Sequence, residues 1–199
     1  MERQEKSAAI DQNERSVPIS KDVPTIRKVG TSELEEETRS AIVRLCVEAH
    51  QEEDFRNLFS YLPPEGLHII AFVGEQLVGH AAVTIRWLQP GNSPLLRTAY
   101  VDAVATSPEY QGRGIGTAVM RYLASVVADC DIACLETERA SFYEHLGWEE
   151  WRGPLAGRSD EGLIRTPDQK GIMILRLAGS PVLDFDALLT IEAQPMRIW

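Results

Sequence analysis

The sequence predicts a single α/β domain, and three observations carry that reading. Short apolar runs of strand length alternate with helically spaced segments between residues 25 and 177. A glycine-rich turn, Gln111-Gly112-Arg113-Gly114-Ile115-Gly116, joins an apolar run in mid-chain to an amphipathic one. Ahead of it, two apolar runs flank Gly74-Glu75-Gln76, the punctuation of a hairpin.

Met1 to about Lys21 is polar, charged and aperiodic, so residues 1–22 are expected to form a disordered leader and residues 23–199 the domain. Thr25–Val29 is strand-like. Thr31 or Ser32 is expected to cap a helix, with Glu33, Glu35 and Glu36 favouring its positive end. Leu34, Ile42, Leu45, Cys46 and Ala49 keep roughly helical spacing along it. A short helix over Asp54–Tyr61 should stop at Pro63-Pro64, where the backbone donors run out. His68–Val73 and Leu77–Trp87 read as the hairpin strands, residues 90–94 as a loop, and Arg97–Thr106 as the next strand. After the glycine turn, a helix from about Gly114 to Ala128 should bury Val119, Tyr122, Leu123 and Val126. Asp131–Glu136 is a strand, Ala140–Leu146 a helix closed by Gly147, and Trp148–Trp151 a strand. Arg152–Lys170, broken by Gly153, Pro154, Gly157, Gly162 and Pro167, reads as a long loop. Gly171–Leu177 is the last strong strand, and Pro181–Trp199 a tail whose apolar residues pack down.

Composition narrows the classes. Hydrophobic residues make up 44% of the chain, with four tryptophans, enough for a packed core. The net charge of −10, with no Lys/Arg stripe, disfavours nucleic acid and favours cationic small molecules. Acidity serving solubility alone is the plainer reading of that charge. Cys46, Cys130 and Cys134 are an odd number without metal-type spacing, so they read as reduced packing residues and no metal site is expected. The chain starts without a signal-like apolar run and has no stretch long enough to span a bilayer, so a cytoplasmic location with no membrane partner is expected. His68 and His80 fall in strands and read as core or edge histidines.

The glycine turn leaves backbone amides pointing outward, and the helix after it adds the positive end of its dipole, an arrangement that holds phosphate. The Gly-Lys-Ser/Thr of nucleotide-triphosphate loops is absent. A dinucleotide site would need the turn after the first strand of a parallel unit, and here it follows a hairpin. Gln111-x-x-Gly114-x-Gly116 at a strand–helix junction resembles the signature of the GNAT superfamily of N-acetyltransferases. The order of elements is similar too, as is the segment Ala140-Ser141-Phe142-Tyr143-Glu144-His145-Leu146-Gly147-Trp148; the likeness covers residues 25–177. It implies the GNAT fold, a mixed, mostly antiparallel sheet flanked by helices and splayed at an acetyl-CoA slot.

The resemblance also implies roles. Gln111, Gly112, Arg113, Gly114, Ile115 and Gly116 would wrap the pyrophosphate of acetyl-CoA; Arg113 adds charge there or is simply solvated. Main-chain groups of Val104, Ala105 and Thr106 would meet the pantetheine arm, with the Val104 N–H polarising the thioester carbonyl. A bulge near Asp102-Ala103 would splay this strand from Cys134-Leu135-Glu136. Tyr143 would protonate the leaving thiolate. Tyr100-Val101-Asp102-Ala103, Gly147-Trp148-x-x-Trp151-x-Gly153-Pro154, Arg165-Thr166-Pro167-Asp168 and Trp199 are most similar to the aminoglycoside 2′-N-acetyltransferases.

From that likeness, Asp102, Ala103, Asp168 and the Trp199 carboxylate would bind the acceptor, with Glu53 or Asp54 facing it from the helix side. Asp102 could also draw the amine proton away through water. Three departures stand out: Arg197 where those relatives carry an acid, Glu136-Thr137-Glu138 in place of a longer serine-rich stretch, and Asp102 in place of a Glu. Another small polyamine or amino sugar, including kasugamycin-type aminoglycosides, is the alternative acceptor. A non-catalytic acetyl-CoA-binding module is the alternative of another class. Many members of the superfamily are dimers, so a homodimer is a further expectation.

Overall fold

The computed structural model describes residues 23–194 and 198–199; the expected leader and Arg197 lie outside the described residues. In chain order come β1 (Thr25–Gly30), α1 (Glu36–His50), α2 (Leu58–Tyr61), β2 (Leu67–Val73), β3 (Gln76–Pro90), β4 (Leu96–Thr106) and α3 (Ile115–Val126). They are followed by β5 (Ile132–Glu136), α4 (Ala140–Glu144), β6 (Trp148–Glu150), β7 (Leu155–Ser159), β8 (Gly162–Arg165), β9 (Ile172–Arg176) and β10 (Leu189–Glu192). Short 3-10 turns occupy Thr31–Glu33, Glu53–Asn57 and Pro108–Tyr110.

These strands form one mixed, mostly antiparallel sheet in the order β6-β9-β5-β4-β3-β10-β7-β8, with β1 and β2 continuing from β3. Only β4–β5 and β7–β10 pair in parallel. The long β3 changes neighbours along its length: Gln76–Val83 pairs with β2, and Leu88–Pro90 pairs with β10. Its burial follows, near-continuous where the sheet is covered on both faces and alternating from Ile85 to Leu88, where one face is open.

One sheet face is covered by α3, which buries Ile115, Val119, Met120 and Leu123 at helical spacing against Ile69, Ala81 and Ala99. Leu123 is fully buried, so its truncation to alanine would cost about 2–5 kcal/mol. On the other face, α1 packs Ile42, Leu45 and Cys46 over Ile70, Ala82 and Ala105. Further along that face, the tail folds Leu183, Phe185 and Trp199 over Tyr100, Cys134 and Ile174. Arg86 anchors it, donating from Nε to Glu192 Oε1 at 2.6 Å and from Nη2 to the Ile198 carbonyl at 3.0 Å.

Several elements differ from the sequence reading. Residues 152–170 contain a hairpin, β7–β8, rather than a loop. The breakers lie mostly at its borders: Gly153-Pro154 precede β7, Gly162 opens β8 and Pro167 follows it. Gly157 lies inside β7, where a side chain would collide with Ile198. Because all of β8 is exposed, no alternation announces it. Thr31 does not cap α1: the helix starts at Glu36 after Glu35, Leu34 precedes it, and neither Thr31 nor Ser32 bonds to its amides. The Thr31 hydroxyl is engaged with His68 instead. The tail packs down as expected, and further supplies β10 to the sheet. The ends of α3 and α4 are each tighter than the sequence suggests.

Candidate active site

Two irregularities of β4 shape the candidate site. Along β3–β4, His80 pairs with Ala105 and Ala82 with Asp102, so β4 carries one residue more than β3 over the same rise. Ala103 takes φ +50° there, a left-handed torsion that costs a residue with a Cβ roughly 1–2 kcal/mol. The parallel pairing of β4 with β5 ends at Val101↔Leu135. Beyond it both strands continue, β4 to Thr106 and β5 to Glu136, with no ladder between them. The separation therefore starts past Leu135, so of the expected Cys134-Leu135-Glu136 only Glu136 is parted from β4. Val104 and Thr106 are half-buried along this stretch and Ala105 is buried.

The glycine turn follows within a few residues. Gln111 folds back and donates from Nε2 to the Thr106 carbonyl at 3.3 Å. Gly112 and Gly114 take φ of +75° and +80°, and Gly114 is the N-cap of α3. A Cβ on Gly114 would meet nothing within 4 Å, so torsion rather than space demands glycine. Gly116 is the opposite case: its added Cβ would come within 3.3 Å of Phe142 and of Thr106 Oγ1. No side chain caps α3, leaving its first amides for a ligand or solvent. Ile115 is buried and contributes only its main chain. Arg113 lies 5.0 Å over the Tyr110 ring, whose hydroxyl donates to Gln76 Oε1 at 3.2 Å.

Tyr143 arrives from α4, which follows the end of β5. It is 7% exposed, edge-on to Phe142 at 4.9 Å and to Trp148 at 5.9 Å. Burial pushes its phenol up to about 12 against the opposing pull of Arg139, so it is a proton donor at neutral pH. Asp102 is half-buried on β4 and close enough to Cys134 on β5 to raise its thiol, whose shift comes mainly from burial.

The expected acceptor residues come from three separate segments. Trp199 is buried, its indole N–H donating to Thr166 Oγ1 at 3.2 Å. Asp168 is exposed on the turn after β8. That turn is tied to the end of β5 by Gln169, whose Nε2 donates to Glu136 Oε1 at 2.6 Å. Glu53 and Asp54 are exposed on the 3-10 turn after α1, and Glu53 is ion-paired to Arg56, which lowers its pKa. Asp168, Trp199 and the end of β5 are thus linked, while Glu53 and Asp54 stand on the α1 side.

The sequence reading missed His50, the last residue of α1. Its ring stacks on Phe55 at 4.5 Å, near the Val104 carbonyl. Burial lowers its pKa, Glu52 and the Val104 carbonyl oppose that, and Arg139 adds to it. A histidine at a helix end has no periodicity to flag it, so no sequence signal pointed there. A concavity of about 390 Å³ lies away from Tyr143, between α1 and the β2–β3 turn. Among the described residues, no group of three or more His, Cys, Asp or Glu is placed to hold a metal ion. No described helix is long and apolar enough to cross a membrane.

Comparison with known proteins bears on the family and the fold. The chain is 33% identical over 183 residues to an aminoglycoside 2′-N-acetyltransferase of Mycolicibacterium fortuitum, covering 88% of this chain and 92% of that one. In fold it is similar to the ribosomal-protein-S18-alanine N-acetyltransferase of Escherichia coli, with TM-score 0.53, 19% identity, and 80% and 96% of the two chains covered. It is similar also to Eis1 of Mycobacterium abscessus, with TM-score 0.56, 21% identity and 67% of this chain covered. The chain spans about a third of the length of such larger structural relatives, 32% in that case. Residues 32–148 match the model of the acetyltransferase (GNAT) family, with the β4 bulge, the glycine turn and Tyr143 all inside that span. The chain belongs to the acetyltransferase (GNAT) family.

Proposed function

We propose that this N-acetyltransferase moves the acetyl group of acetyl-CoA, the co-substrate of its family, to an amine of an aminoglycoside, at the 2′ position. The likeness to the Mycolicibacterium enzyme over nearly the whole of both chains carries the choice of acceptor. The residues present fit the donor. A capless α3 N-terminus after two glycines of positive φ suits a pyrophosphate, and the end of β4, unpaired on its β5 side, suits an amide-bearing arm.

In this reading Gln111, Gly112, Arg113, Gly114, Ile115 and Gly116 hold the pyrophosphate, and the main chain of Val104, Ala105 and Thr106 holds the arm. The Val104 N–H donates to the thioester oxygen and stabilises the charge that grows there as the amine attacks. A C–N bond forms, the C–S bond breaks, and Tyr143 gives its proton to the departing sulfur. Asp102 accepts the amine's proton through water. Asp54, Asp102, Ala103, Asp168 and Trp199 orient the cationic sugar, with Glu53 the weaker candidate because Arg56 already takes its carboxylate. Acetylation removes one cation from the drug and so weakens its hold on RNA, a resistance function.

Release of free CoA thiol with a panel of aminoglycosides tests this, with the product's acetylation position read by NMR. The expected result is turnover and a 2′-acetyl product. Turnover confined to simple polyamines or other amino sugars would move the acceptor. Tight acetyl-CoA binding without turnover on any amine would leave a binding module.

A further inference from the structure

Beneath the β4 bulge lies a line of buried polar groups that the proposed chemistry does not use. Thr31 Oγ1 stands 3.1 Å from His68 Nε2, His68 Nδ1 stands 2.9 Å from His80 Nε2, and His80 Nδ1 stands 2.8 Å from the Ala103 carbonyl. Thr31 is 4% exposed and both histidines are fully buried.

The carbonyl can only accept, and that fixes every proton along the line. His80 carries hydrogen on Nδ1 and presents a bare Nε2. His68 therefore donates from Nδ1, and its own bare Nε2 accepts the Thr31 hydroxyl. All four ring nitrogens are satisfied with both rings neutral, and every bond runs in one direction. Burial favours that neutrality, holding His68 to about 4 and His80 to about 3, and the Arg39 cation near His68 acts in the same sense. Cys46 closes the remaining side, its Sγ 3.8 Å from His80 Nδ1 and its thiol kept protonated by burial.

The line ends on the peptide that matters most to acyl transfer. The register gives neither Ala103 nor Val104 a partner on β3, and β5 has already parted from β4. The Ala103–Val104 peptide thus sits outside the regular register of both neighbouring strands, and the left-handed Ala103 torsion costs energy to hold. The bond is trans, so its C=O and N–H point in opposite directions. A hydrogen bond that draws the Ala103 oxygen toward the histidines turns the Val104 N–H away from them.

We propose that Thr31, His68 and His80 are positioning residues that set the angle of the Ala103–Val104 peptide, and so aim the Val104 N–H at the acyl oxygen of the donor. The catalytic consequence rests on the acetyl-transfer reading; the proton arrangement itself does not.

Nitrogen-15 NMR of the histidine rings in the wild-type protein tests the arrangement without any substrate. His68 and His80 should both be neutral and protonated at Nδ1, and stay so down to about pH 5. Protonation of His80 at Nε2 would overturn the proposal. Two variants then test the consequence. In His80→Phe only the Cys46 thiol, a weak donor with its Sγ 3.9 Å from the Ala103 oxygen, still reaches that carbonyl, and kcat should fall about 10- to 100-fold with acetyl-CoA KM little changed. In His80→Asn the side-chain amide nitrogen can take the place of Nδ1, and most of kcat should return. Wild-type kcat in His80→Phe, or equal losses in both variants, would also overturn it. Should His80→Phe not fold, Thr31→Val serves at the far end of the line. It should lower kcat about threefold and shift the His68 ring nitrogens, and unchanged shifts count against the line. Absence of turnover in the wild-type protein would sink the acetyl-transfer reading, while the ring measurement still decides the proton arrangement.

Discussion

Along β4 and the turn after it, the groups offered to a ligand are main-chain amides, and the side chains nearby serve to fix torsions. In the proposed acceptor site the pattern reverses: Asp54, Asp102 and Asp168 would offer carboxylates, from positions 114 residues apart at the extremes. The proposed donor side is one continuous piece of chain, from Val104 to Gly116, and its shape follows from a bulge, two left-handed glycines and a helix start. The proposed acceptor side is assembled from the 3-10 turn after α1, β4, the turn after β8 and the tail. A site made of backbone tolerates change in side chains and fails when torsion or spacing is disturbed. A site made of charges should fail gradually, one acid at a time.

Substitutions can break that comparison. Tyr143→Phe should have the largest effect, lowering kcat about 100-fold while acetyl-CoA affinity by calorimetry stays within about twofold. An unchanged kcat would remove Tyr143 from the acid role. Gly116→Val drives a branched side chain into the contacts with Phe142 and Thr106, and should weaken acetyl-CoA binding about tenfold. Asp168→Asn should leave that affinity intact and raise aminoglycoside KM about fivefold; a shift in both constants would mean the two sides are not separable. Smaller still, Asp54→Asn should raise acceptor KM about threefold, and Glu53→Gln hardly at all because Arg56 already engages that carboxylate. The reverse order would assign the helix-side contact to Glu53.

The histidine line gives a pH signature independent of substrate. His68 and His80 bind protons more weakly folded than unfolded, where they return to their ordinary value near 6.5. Between about pH 6.5 and pH 4 the unfolded chain therefore takes up more protons, and stability falls as pH is lowered through that window. Thermal melts should show a Tm that is steady above neutrality and drops below it. A Tm indifferent to pH in that interval would contradict the neutral pair.

What could be read from sequence follows the same division. Gln111-x-x-Gly114-x-Gly116 is legible because torsional demand is written locally in glycine, and the hairpin before it is legible for the same reason. The role of Thr31 is not. A threonine ahead of an acidic helix start looks the same whether its oxygen meets helix amides or a ring 37 residues away. The β7–β8 hairpin hides because its second strand is exposed throughout, so hydrophobic alternation, the usual signal, is missing. His50 is hidden differently: its position depends on where α1 ends relative to the bulge, a tertiary fact with no local trace.

In the sheet, β7 and β8 reach the other strands only through β10, which pairs with β3 on one side and β7 on the other. That makes the order of synthesis a matter of function. When the ribosome has released the chain as far as α3, the donor turn is complete in sequence. The hairpin that leads into the Asp168 turn has no seat until residues 189–192 emerge. A nascent or clipped chain lacking that strand would then be half an enzyme, equipped for its donor and unable to present the acceptor to it.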